Sequence, residues 1–95
     1  MAYALKLYNV SIGFAGKAAS SEVVQGSFPA GAGWARYAPN SWILQTSESA
    51  ETIATSIRAK ISTSDNIVVS PFDPDTTYGF LQEEIWTWIR NAVVK

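Results

Sequence analysis

Residues 34–46, WARYAPNSWILQT, constrain the fold more than any other stretch of this chain. Two short arms meet at Pro39 and Asn40, and proline's fixed φ suits the first corner of a type I turn. Trp34 and Arg36 share one face of the first arm, and Trp42 and Leu44 share one face of the second. The stretch reads as a β-hairpin, so the fold is built on antiparallel pairing.

What flanks the hairpin narrows the fold further. Residues 47–62 carry Ala50, Ile53, Ala54, Ile57 and Ile61 at helical spacing. Ser47 or Ser49 can accept the free amides at the start of that helix, Glu48 and Glu51 suit its positive end, and Arg58 and Lys60 its negative end. Residues 66–70, NIVVS, read as a short buried strand. Ahead of the hairpin, residues 2–12 alternate as a strand. Leu5 and Leu7 lie on one face and Lys6, Tyr8 and Val10 on the other. Bulk on both faces predicts a central strand. Residues 14–25 read as a short helix weakened by Gly16 and its serines. Three glycines and a proline make 26–33 a loop and the most mobile segment. After a turn over 71–79, residues 77–93 read as a closing helix. Its apolar stripe is Leu81, Ile85, Trp88, Ile89 and Ala92, widened by Trp86 and Val93, and Glu83, Glu84, Thr87, Arg90 and Asn91 form the wet face.

The order is β-α-β-β-α-β-α. It predicts one α+β domain over residues 1–95, ferredoxin-like, with an additional C-terminal helix. The helices are expected on one face of an antiparallel sheet, and the other face solvated or paired with a second copy. Only 16% of the residues are charged and 47% are hydrophobic, so part of the aromatic surplus is expected to cover a partner.

Composition also removes chemistry. The chain holds no histidine and no cysteine. That excludes a Ser-His-Asp triad, a Cys-His pair, a zinc site and a disulfide frame. The formal net charge of −1 gives no general field for phosphate, so nucleic-acid binding would need a local basic patch. No apolar run is long enough to span a membrane, and no basic end leads into a continuous apolar stretch; the expectation is a cytoplasmic protein.

Four local patterns tempt a sharper reading. SIGFAGKA, 11–18, fails the phosphate-loop pattern at both ends, where Ser11 and Ala18 stand in place of glycine and Ser or Thr. DPDTTYGFLQEE, 73–84, places Asp73, Asp75, Thr77 and Glu84 as a calcium loop would, but Tyr78 occupies the position of the sharp-turn glycine. Helix capping by Asp75, Thr76 or Thr77 is the plainer account. Trp34, Arg36 and Tyr37 could form a base-stacking platform for single-stranded nucleic acid, although no RNA-recognition consensus surrounds them. Trp86 and Trp88 stand two apart on a helix and so face different sides, one toward the core and one toward a neighbouring chain or the sheet edge.

Three stretches resemble one family in order and spacing. YALKLYNVS, 3–11, resembles the first strand of the small CRISPR-associated ferredoxin-like endonucleases, which reads as apolar residues followed by Tyr-Asp-Val-Ser. SWILQTSESAETIATSIRAKI, 41–61, is similar to the third strand and second helix of their stand-alone relatives, and SDNIVVSPF, 64–72, to the strand that follows. The loop 26–33 and the first helix do not match. The resemblance implies a symmetric homodimer paired through its sheets, with magnesium held by an aspartate from each first strand. Here that position is Asn9, followed by Ser11, and Asp65 stands at the family's strand-entry position with a structural role. An amide is a poor anchor for magnesium, and no histidine supplies a general base. The reading is therefore a non-catalytic, dimeric ferredoxin-like protein that binds a macromolecular partner and needs no cofactor. Its binding candidates are Asn9, Ser11, Trp34, Arg36 and Tyr37. The alternatives are a magnesium-dependent endonuclease acting on RNA or DNA through an atypical site, and a single-stranded nucleic-acid binder.

Overall fold

A computed structural model describes residues 5–94. Strand β1, Lys6–Gly13, leads to helix α1, Ser21–Gly26. The hairpin of β2, Gly33–Ala38, and β3, Ser41–Thr46, follows. Then come α2, Ala50–Arg58; β4, Asn66–Pro71; and α3, Glu83–Val94. The four strands form one sheet in the order β2-β3-β1-β4, and every neighbouring pair is antiparallel. The fold is thus α+β. β1 is central, as its two bulky faces require: Asn9 lies between Ile43 of β3 and Ser70 of β4. The first three residues of the expected strand, 2–4, lie outside the described residues.

The two faces of the sheet carry separate apolar clusters. On one face Tyr8, Val10 and Ile12 of β1 and Trp42 and Leu44 of β3 pack with Val24 of α1, Phe28, and Ile53 and Ile57 of α2. Trp42, Leu44, Ile53 and Ile57 are almost wholly removed from solvent. The edge of Phe28 meets Trp42 at 5.7 Å between ring centres, a T-shaped contact that aromatic quadrupoles favour. Polar atoms at the margin are paired: Trp42 Nε1 donates to Gln25 Oε1 at 3.2 Å, and the Tyr8 hydroxyl donates to the Glu48 carbonyl at 2.8 Å.

The opposite face is not left to solvent or to a second copy. Leu7 of β1 and Ile43 of β3 pack there against Ile89 of α3, with Ile85, Trp86 and Trp88 around them. Helices therefore cover both faces, which corrects the expected one-sided arrangement. The cause lies in the strands, since Leu7 and Ile43 point away from the first core and need a cover of their own. Both tryptophans of α3 pack toward the sheet. Trp88 sits against β2 so closely that a Cβ at Gly33 would meet its ring at 3.3 Å. At the C-terminal end of α3, Gln45 Nε2 donates to the Ala92 carbonyl at 3.2 Å, one of the carbonyls a helix end leaves unpaired.

Several boundaries move. Helix α1 starts at Ser21, capped by Ser20, whose hydroxyl accepts the Val23 amide; residues 14–20 are not helical. The cap sets the boundary, and Gly16 lies ahead of it. Ser49 caps α2, accepting the Thr52 amide at 3.1 Å. β4 is an edge strand rather than a buried one, and Val68 is 60% exposed. Helix α3 starts at Glu83, so 77–82 are not helical and Asp75, Thr76 and Thr77 do not cap it. Instead, the Asp73 carbonyl accepts the Thr76 and Thr77 amides, and its side chain accepts the Asp75 amide, closing a local turn. Residues 72–82 thus form a strap from the β4 edge to α3. In loop 26–33, Gly31 adopts φ +78°, a conformation glycine reaches without strain.

Asp65 acts as a staple. Its buried carboxylate accepts the Ala15 amide through Oδ1 and the Ser62 amide through Oδ2, both at 2.9 Å. Arg58 reaches the carbonyls of Ser62 and Asp65 at 2.7 and 2.9 Å. One side chain thus ties the turn after β1 to the turn before β4. This is the structural role expected of it.

Candidate functional site

The pleat of β1 places Asn9 and Ser11 on the α3 face, beyond the area that Ile89 covers. Asn9 stands at the centre of a polar chain. The Tyr37 hydroxyl of β2 donates to Asn9 Oδ1 across the intervening strand. Asn9 Nδ2 donates to Ser11 Oγ at 3.3 Å, and Ser11 Oγ lies 3.4 Å from Ser41 Oγ of β3. Tyr37 sits where the β2–β3 register shifts between Arg36 and Ala38. Such a bulge re-aims a side chain. All four residues are partly buried, and no buried side-chain polar atom among the described residues lacks a partner.

Asn9 and Tyr37 of this polar chain face an open cleft of about 460 Å³. Asn9, Tyr37 and Ile43 line it from the sheet. Ser70, Pro71 and Phe72 line it from β4 and its exit, the strap contributes Thr77 and Phe80, and Trp86 of α3 completes the wall. None of the lining side chains carries a charge. At the rim, Tyr78 and Phe80 are 87% and 90% exposed and meet edge to face at 5.7 Å.

Of the five binding candidates, the structure brings Asn9, Ser11 and Tyr37 together. Trp34 and Arg36 lie on the opposite face, over the α1/α2 core, where Trp34 meets Phe28 at 6.2 Å and the Arg36 guanidinium stands 5.8 Å from the Trp42 ring. Arg36 also donates twice to the Pro39 carbonyl of its own turn, at 3.1 and 2.7 Å. The platform of Trp34, Arg36 and Tyr37 is therefore split by the sheet, because adjacent positions on a strand point to opposite faces. Reading the pair from the alternation would have separated Tyr37 from its neighbours. The strap aromatics and Ser70 were not singled out from sequence, and no motif marks them.

Magnesium does not suit this donor set. The Asn9 position offers a neutral amide whose oxygen already accepts the Tyr37 hydroxyl, and no carboxylate lines the cleft. Among the described residues no helix is long and apolar enough to cross a membrane. No family model, no curated protein and no solved structure matches this chain.

Proposed function

We propose that this chain is a non-catalytic, ferredoxin-like protein that acts as a homodimer by binding a macromolecular partner. The strand order supports the ferredoxin-like assignment, since β1 and β2 flank β3, and β3 and β4 flank β1. The observation that carries the function is the state of Asn9. Where the resemblance to CRISPR-associated endonucleases implies a metal-holding aspartate, an amide is engaged on both sides, by Tyr37 and by Ser11. Hydrolysis of a phosphodiester needs a group that activates water and a charge that stabilises the transition state. The cleft supplies neither, and instead presents a rim of exposed aromatics suited to a protein contact.

Two measurements test the reading together. Incubation with labelled RNA and DNA in Mg²⁺ or Mn²⁺ is expected to leave the substrates intact. Light scattering is expected to give twice the mass of one chain. Cleavage that disappears in Asn9→Ala would return the protein to the nucleases, and a clean monomer at micromolar concentration would remove the dimer.

A further inference from the structure

The cleft beneath the strap has a chemistry of its own, distinct from the aromatic rim. Its volume of about 460 Å³ falls in the range of small-molecule sites. A charged ligand would find no counter-charge among its lining side chains, so the lining favours a neutral occupant. The walls are apolar and aromatic where Phe72 and Trp86 stand, and a planar ring can lie flat against such faces.

The polar floor specifies the rest. A primary amide has two N–H groups and two carbonyl lone pairs. Asn9 spends one N–H on Ser11 and one lone pair on Tyr37, so its amide keeps one donor and one acceptor. That pair matches the adjacent acceptor and donor on the edge of a nucleobase, as asparagine reads adenine elsewhere. The Ser70 hydroxyl, paired opposite Asn9 in the β1–β4 register, adds a third polar group. We infer that the cleft formed by Asn9, Tyr37, Ser70, Phe72 and Trp86 binds a neutral planar heterocycle of the nucleobase class, its edge on Asn9 and its ring between the aromatic walls.

This inference concerns the cleft and does not rest on the dimer or on the rim. Amide correlation spectra recorded during titration with adenosine, uridine and methyl glucoside test it, with a short single-stranded oligonucleotide as a separate arm. Saturable shifts at Asn9, Ser70 and Phe72 with a nucleoside are expected. Asn9→Leu should weaken them about tenfold, the equivalent of one lost hydrogen-bonded contact, and Ser70→Ala should weaken them less. Tyr78→Ser, at the rim but outside the cleft lining, should leave them unchanged. Shifts seen only with the oligonucleotide, and lost in Asn9→Leu, would show that the base arrives on a strand rather than free. No shift in either arm overturns the proposal, as do equal shifts with the glucoside or shifts confined to residues away from the cleft. Failure here with a dimer still present would leave the proposed function standing, and a monomer that binds nucleoside would do the reverse.

Discussion

The two faces of the sheet are built to different standards. Under α1 and α2 the core is continuous, from Tyr8 and Val10 through Trp42 and Leu44 to Ile53 and Ile57. Under α3 the buried side chains among the described residues are Leu7, Ile43 and Ile89, and the cluster ends at the polar chain of Asn9, Ser11 and Tyr37. The first face buries the larger apolar cluster. The second trades burial for an open cleft. Binding sites are drawn from the less stable parts of a molecule, and here the division runs through single strands: alternate residues of β1 serve opposite purposes.

Substitutions can break this contrast. The largest effect is expected from Trp42→Ala, which empties the centre of the first core and should cost about 3–5 kcal/mol in denaturant unfolding. Asp65→Ala comes next. Two backbone amides lose their acceptor, and because Ala15 and Ser62 are exposed the loss is expected at the low end of about 2–6 kcal/mol, at about 1–3 per unpaired group. Asp65→Asn should recover part of it, because one oxygen remains. Ile89→Ala should cost about 2–3 kcal/mol, at the low end for a buried aliphatic truncation. Its distinguishing sign is local: hydrogen exchange should accelerate in α3 and leave β1 and β3 protected. Equal acceleration across the sheet would show that the two faces unfold as one unit. Tyr37→Phe removes one hydrogen bond to Asn9 and should cost about 1 kcal/mol. Because Asn9 then regains a free acceptor, nucleoside binding in the cleft should survive. Smallest of all, Tyr78→Ser should leave the unfolding midpoint unchanged, since the ring is almost fully exposed, while lowering the dimer fraction if the rim forms the contact.

Much of the framework was legible because its signals are local. The hairpin followed from Pro39 and Asn40, α2 from its serine cap and apolar spacing, and the apolar stripe of α3 from Leu81, Ile85, Trp88 and Ile89. The errors cluster where local preference meets a partner distant in sequence. Residues 77–82 have a helix-compatible pattern, yet they belong to a strap held by the Phe72 amide on the Leu7 carbonyl at one end and by Leu81 against the α3-face cluster at the other. NIVVS looks buried by composition, but its place at the edge leaves Val68 exposed. Of the candidate site, Asn9 and Ser11 were found through a resemblance, and Tyr37 was named for a platform that does not form. Its meeting with Asn9 spans 28 positions and depends on β3 pairing with both β2 and β1, which nothing around Tyr37 in the sequence announces.

The sequence by itself determined the order of elements, the central place of β1 and the neutrality of the Asn9 position. These follow from side-chain alternation, capping and the charge a residue carries, all properties of short windows. Only the tertiary structure decided that α3 turns back onto the second face and that the strap roofs a cleft beside Asn9. It also decided that Tyr37 parts from Trp34 and Arg36. Those outcomes depend on which apolar surfaces find each other in three dimensions; burial is non-directional, so apolar spacing marks the face an element buries but not the partner that covers it.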